Sequence, residues 1–369
     1  MKKIGVLCTH PVQYHSPLFQ ALAKEADLIV YYCSNPDPKT QGKGFGVEFL
    51  WDTPLLDGYR YEFLDSPSKF CERKIKEGYF DFFIVFGWYY PSALQALRAC
   101  RKYGVPIYAR GDSQLPSRPF WIQCLKQLYF RSFLSKFDGF LAPGTRFKDY
   151  LKFFGVPERK FFFCPHCVDN DFFSKNRLKS SDEKKDARVL NGLGEKDIVF
   201  LFCGKFIEKK RPMDFLKALK LIQDSNEAVK GVLVGDGPLK EKLRKYSMNQ
   251  RLNVSFLGFV NQSRIPKIYS ITDCLVLPSD ARETWGLVVN EVFACGVPAI
   301  VSDEAGCVED LIEEGKTGYR FKARNAALLA EKMKAFIENK NAGINFRNAA
   351  LEKIKNYSIR SAVEGILKI

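Results

Sequence analysis

The sequence predicts an α/β protein made of two doubly wound, parallel-sheet domains, and three observations carry that expectation. Short continuous apolar runs, such as 80–86 and 198–203, alternate with stretches of helical periodicity. Runs of that kind are strands buried on both faces of a parallel sheet. A polar, charged stretch at 174–188, SKNRLKSSDEKKDAR, breaks the rhythm once and reads as a linker, after which strand and helix alternate again. With 369 residues the chain is long enough for two cores of ordinary size.

The first domain opens with a strand at 3–8 and a helix at 17–24, with Ser16 as its N-cap and Pro17 at the first helical position. A strand at 28–33 leads into 42–59, rich in glycine and aromatic residues, which reads as a long loop. Next come a strand at 80–86, a helix at 91–103 ended by Gly104, a strand at 106–109, a long amphipathic helix at 120–137 and a strand at 139–142. A helix at 146–154, stopped by Gly155 and Pro157, follows. In the second half, strands are expected at 198–203, 231–234, 254–257, 274–277 and 299–301, with helices at 212–221, 239–247 and 266–269 and from 325 to the end. The expected division is an N-terminal domain at 1–173, the linker at 174–188, a C-terminal domain at 189–345, and a helical segment at 346–369 that packs back toward the N-terminal domain.

A hydrophobic content of 46% with 27% charged residues belongs to a folded globular chain, not a disordered one. No apolar run approaches the roughly 18 residues that span a bilayer, and the apolar part of 1–8 is too short for a signal peptide. The eleven cysteines fall mostly inside apolar runs and read as reduced core residues, which points to the cytoplasm. A net charge of +15 calls for an anionic partner. No nucleic-acid-binding signature accompanies that charge. It therefore favours a nucleotide phosphate, with peripheral contact at an anionic membrane (the inner face of the cell membrane), over a nucleic acid.

The most informative stretch is 277–302, LPSDARETWGLVVNEVFACGVPAIVS. It reads as strand end, loop, helix and strand, with Gly286 opening the helix and Gly296 and Pro298 closing it. Glu283 lies in the loop and Glu291 a turn and a half into the helix, so both acids can face one ligand at the helix N-terminus. Taken with the preceding Pro278-Ser279 and with Ala294, Gly296 and Pro298, this stretch resembles the E-x7-E region of the retaining nucleotide-sugar glycosyltransferases of GT-B fold, family 4-like. Gly204-Lys205 followed by Lys210 is similar to the same family's G-R-x4-K-G segment, with lysine where arginine is usual.

The resemblance implies a fold of two Rossmann-like domains facing across a cleft, and a reaction that moves a hexose-type sugar from a uridine or guanosine diphosphate donor to a glycan or lipid-linked acceptor, as in surface polysaccharide or glycoconjugate synthesis. It implies catalytic roles for Glu283, Lys205 and Lys210, the two lysines clamping the donor diphosphate and Glu283 orienting the donor sugar. Gly204, Thr284, Trp285, Gly286 and Leu287 would contact sugar and phosphate, Glu291 would hold the ribose hydroxyls, and Ile265 would border the base. No cofactor beyond the co-substrate and no metal is expected. The resemblance also admits two other GT-B activities, a nucleotide-sugar epimerase and a phosphorylase.

On the acceptor side the sequence offers His10 and His15, in a loop after the first strand, and Arg110 and Asp112 after the fourth. The family's histidine in that second segment aligns with Gly111 here. Two motifs read as decoys. Cys164-Pro165-His166-Cys167 has the form of a thiol-redox motif but does not open a helix at the start of a thioredoxin-like unit. Asp169-Asn170-Asp171 has a D-x-D form but sits where the chain leaves the first domain.

Overall fold

In the computed structural model, which describes residues 1–64, 70–115, 120–224 and 228–369, the chain forms two compact units. Unit 1 comprises Met1–Pro36, Pro54–Val168 and Ser358–Ile369, and unit 2 comprises Asp37–Thr53 and Asp169–Tyr357.

Unit 1 is built on seven parallel strands: β1 (Lys3–Cys8), β2 (Asp27–Tyr32), β3 (Arg60–Phe63), β4 (Phe82–Phe86), β5 (Ile107–Arg110), β6 (Gly139–Ala142) and β7 (Phe161–Phe163), in the order β3-β2-β1-β4-β5-β6-β7. Unit 2 has six: β8 (Ile198–Cys203), β9 (Val229–Val234), β10 (Val254–Gly258), β11 (Cys274–Leu277), β12 (Ala299–Ser302) and β13 (Gly318–Phe321), in the order β10-β9-β8-β11-β12-β13. All pairings in both sheets are parallel. The central strands are buried end to end, as β6, β11 and β12 show. Burial on both faces is why they are continuous apolar runs in the sequence. In each sheet the chain runs outward from its first strand and then returns to that strand's other side. The order therefore reverses between β1 and β4, and again between β8 and β11, and in sheets of this kind ligands bind beyond the strand ends at such a reversal.

Helix Pro91–Tyr103 follows the sequence pattern, with Ala93, Ala96, Leu97 and Cys100 on its buried face. It ends at Gly104, whose φ of 70° allows its N–H to bond the Cys100 carbonyl. Helix Ser16–Glu25 differs from the expected one: its N-cap is His15, and Ser16 turns inward, its hydroxyl donating to the Leu55 carbonyl at 2.6 Å. Three strands lie outside the expected series, all at sheet edges: β7 is only three residues long, and β3 and β13 expose polar residues, so neither of those two forms an apolar run.

The stretch read as a linker is folded. Chain crossover between the units falls at Val168/Asp169, and 174–188 continues into helix Ser181–Leu190. Ser180 and Glu183 form a capping box there, and the Arg188 guanidinium donates to the Glu195 carbonyl at 3.0 Å and to Asp273 at 3.0 Å, fastening the helix to unit 2. High charge here marks a solvated helix face rather than an unstructured spacer. The segment 346–369 is also divided. Helix Phe346–Lys355 belongs to unit 2, while helix Ile359–Leu367 belongs to unit 1, where Gly365 lies so close to the Phe163 carbonyl that a Cβ would sit 1.8 Å from it. Among the described residues no helix is long and apolar enough to cross a membrane.

Replacing Ser180 with alanine removes the cap and is expected to cost about 1 kcal/mol, seen as faster amide exchange across 183–190 and a lower urea midpoint.

Candidate active site

The loops that follow β8 and β11 meet at the strand-order reversal of unit 2. Gly204 leaves β8 with a φ of 154°. Beside it, Gly235 comes so near that a Cβ there would lie 2.0 Å from the Gly204 carbonyl oxygen. This close approach requires glycine. Lys205 comes next, and the one-turn 3-10 segment Glu208–Lys210 carries Lys210. Arg211 closes that turn in a left-handed conformation, its Nε donating to Asp214 at 2.5 Å. The role of Arg211 is thus structural.

After β11 the chain runs through Ser279 and Asp280 to Glu283, which is 8% exposed. Its carboxylate forms an ion pair with Lys210. Burial by itself would push the Glu283 pKa up, but Lys210 and then Lys209 outweigh it and hold the group below the ordinary carboxylate value. The two loops are joined through the backbone as well, the Asp280 N–H donating to the Lys209 carbonyl at 2.9 Å.

Helix Val288–Ala294 begins two residues later than the sequence suggests. Gly286 adopts a φ of 108°, and a Cβ there would meet Leu277 at 2.6 Å, so this residue turns the chain rather than starting the helix. Glu291 consequently lies in the first turn of the helix, not a turn and a half along it. Thr284, Trp285 and Leu287 form the bend. Backbone bonds hold it, with Gly306 N–H donating to Glu283 O at 2.9 Å and Cys307 N–H to Trp285 O at 3.0 Å. The Trp285 indole is buried and donates to Asn290 at 2.8 Å.

Glu291 accepts a hydrogen bond from the Tyr269 hydroxyl, which also lies 3.7 Å from the Cys203 sulfur. Burial raises the Glu291 pKa to about 7, with the tyrosine and Lys210 acting in the opposite direction. Sequence reasoning missed Tyr269. The available signal was a tyrosine beside Ile265 and Ile268 on a short helix, Ile265–Ser270, since a buried phenol needs a partner. Ile265 is the first residue of that helix and is 4% exposed, so its side chain serves the core.

The stretch read as a loop at 42–59 is divided between the units, and its first part supplies more of this site. Lys205 Nζ donates to the Lys43 carbonyl at 2.6 Å and stands 4.8 Å from the centre of the Phe45 ring. Phe45, Phe49 and Trp51 pack around Phe259, with Phe49 and Phe259 centroids 4.1 Å apart. Asn261 donates to the Leu50 carbonyl at 2.8 Å, and the Ser263 N–H to Asp52 at 3.0 Å. Burial, then the neighbouring Lys210 and Lys209, lower the Lys205 pKa.

His10, His15, Arg110 and Asp112 are brought together in unit 1, where they line a cavity of about 250 Å³ beyond β1, β4 and β5. His166, the third histidine of the chain, lines it too. Its place in the C-P-H-C stretch had hidden it. Cys164 and Cys167 are both buried, and burial pushes the Cys164 thiol up despite Arg110, opposite to what a reactive thiol needs. Asp169 caps helix Asn170–Asn176 by accepting from the Phe172 N–H at 2.9 Å. Among the described residues no group of three or more His, Cys, Asp or Glu side chains is placed to hold a metal ion.

Residues 183–356, most of unit 2, match the family described as Glycosyl transferases group 1. Sulfoquinovosyl transferase SQD2 of Arabidopsis thaliana is 30% identical over 202 residues, covering 54% of this chain and 37% of that protein. Alpha-galactosylglucosyldiacylglycerol synthase of Streptococcus pneumoniae is 26% identical over 289 residues, covering 76% of this chain and 72% of its own. Among solved structures, Anabaena Alr3699/HepE in complex with UDP superposes with a TM-score of 0.76 at 16% identity, over 99% of this chain and 98% of its own. The chain has the GT-B fold. Its second unit belongs to the group 1 glycosyl transferases. Two of the curated relatives are matched over only 37% and 35% of their length.

The raised Glu291 pKa has a consequence for stability. A carboxyl that binds its proton more tightly when folded contributes stability that is full below the unfolded value of roughly 4.3 and is lost as pH rises through the folded value, here about 7. Glu291→Gln should remove this contribution. The wild type should therefore lose on the order of 2 kcal/mol relative to the variant between pH 4.5 and pH 7.5, measured by urea unfolding without nucleotide.

Proposed function

We propose that the protein is a retaining glycosyltransferase that moves a hexose-type sugar from a uridine or guanosine diphosphate donor to a glycan or lipid-linked acceptor. The observation that carries this reading is the convergence of Lys205, Lys210, Glu283 and Glu291 at the strand-order reversal of unit 2, with Lys210 paired to Glu283 and close enough to act on the other two. Two half-buried ammonium groups suit a diphosphate whose negative charge grows as it departs. Lysine offers a point charge where arginine would offer a fork, so the clamp positions the diphosphate by charge more than by bidentate geometry.

Glu291 would accept hydrogen bonds from the vicinal hydroxyls of the ribose, and Glu283, kept ionised by its lysine, would orient the hydroxyls of the sugar. In this reading the leaving phosphate takes the acceptor's proton as the acceptor attacks on the same face, and Glu283 forms no covalent intermediate. The lysines supply the positive charge, so no divalent ion is needed. Unit 1 takes the acceptor. The name of the pneumococcal relative, a diacylglycerol-glycolipid synthase, and the net charge of +15 support a lipid-linked acceptor and work at an anionic membrane face on the cytoplasmic side.

A panel of uridine and guanosine diphosphate sugars with candidate acceptors, followed by NMR of the product's anomeric centre, tests this reading. The donor's configuration should be retained. Glu283→Gln and Lys210→Gln should each lower kcat by about 10²–10³ while circular dichroism stays native. Full activity in both variants, or inversion, would refute the assignment. Activity should survive EDTA, and strict dependence on added magnesium or manganese would remove the metal-independent part of the reading.

A further inference from the structure

Arg110 ends β5 inside the unit 1 cavity and is only 4% exposed. One terminal nitrogen donates to the Pro165 carbonyl at 3.0 Å, and the guanidinium carbon lies 5.2 Å from the centre of the Phe86 ring. Its Nε is buried with no hydrogen-bond partner, and the side chains that act on Arg110 are Cys164, Cys167 and Tyr14, none of them a carboxylate. A guanidinium keeps its charge at any ordinary pH. A buried charge with no counter-ion is strongly disfavoured.

The other groups that line the cavity do not supply that counter-charge. Burial pushes the Cys8 thiol well up, so it stays neutral. Burial, reinforced by Arg110, keeps His15 and His166 well below the ordinary imidazole value, so both are neutral and able to donate an N–H without adding charge. Asp112 is exposed, at the edge of the cavity. What remains is a small hollow at a strand-order reversal, about 250 Å³ in volume, holding one fixed cation and neutral donors, with the Asp112 carboxylate at its exposed edge.

We propose that this cavity receives an oxyanion, a phosphoryl or carboxylate group, held by the Arg110 guanidinium with the His15 and His166 rings beside it. Placing that group on the acceptor rests on the reading of unit 1 given above, whereas the anion site itself does not. A lipid phosphate and an acidic sugar would present the same chemistry here.

Titration of the full chain with inorganic phosphate and with acetate, in separate arms and followed by the imidazole resonances of the histidines, tests the site without any acceptor. A saturable millimolar response at His15 and His166 is expected, and the stronger of the two arms identifies the class of oxyanion. Arg110→Gln should weaken the binding at least about tenfold, and Arg110→Lys should keep part of it. UDP affinity, measured on the same samples, should remain that of the wild type, which separates this site from the donor site and shows that the variants are folded. No saturable response in the wild type, unchanged affinity in a folded Arg110→Gln, or displacement of phosphate by UDP would each overturn the proposal. The wild-type arm is decisive even if a variant misfolds.

Discussion

The ion pair between Lys210 and Glu283 joins the two strand ends on which the unit 2 site depends. Both partners are largely buried, with side chains 16% and 11% exposed. In such surroundings a lone carboxylate would take up a proton and a lone ammonium would tend to lose one. Lys210 holds the Glu283 carboxyl below its ordinary value, so the site retains an ionised acid beside the lysine. Breaking a buried pair by removing one partner is costly, on the order of 3–5 kcal/mol. That cost makes the pair a constraint on the fold as well as a chemical resource, because it fixes how the Glu208–Lys210 turn faces the loop after β11.

Around this pair the two other charged groups are held differently. Glu291 rests on a phenol rather than on a cation, and its pKa near 7 leaves it poised between its two forms. Lys205 is held by a backbone carbonyl and an aromatic face from Asp37–Thr53, a segment 162 residues away in sequence. Among the described residues no acid pairs with its amine, so the charge is available for an anionic ligand. Four charged groups in one region thus have three environments, and this lets two acids of the same type carry different protonation behaviour.

Much of this could be read in the sequence, and what could not has a common cause. The sheets were legible because central parallel strands must be apolar on both faces, as the runs at 198–203 and 274–277 are. The glutamates and lysines after β8 and β11 stood out through their spacing and their neighbours. Edge strands were hidden, because β3 is half exposed and the four residues of β13 are interrupted by the exposed Arg320. Helix 181–190 was hidden by a charged face that looks the same in a helix as in a linker. The partners of the site residues were the least legible. Tyr269 beneath Glu291, Phe45 beside Lys205 and His166 in the cavity of Arg110 all arrive from distant segments, and no local pattern records such meetings. Gly286 shows the same limit on a smaller scale: its place before the helix follows from contact with Leu277, which the helical pattern around it does not reveal.

The central claim is that these four charged side chains of unit 2 serve one nucleotide. A crystal structure of the protein soaked with UDP tests it most directly. The diphosphate is expected against Lys205 and Lys210, and the ribose hydroxyls on the carboxylate of Glu291. UDP bound elsewhere on the chain, with the Lys210–Glu283 pair untouched and remote from it, would contradict the account.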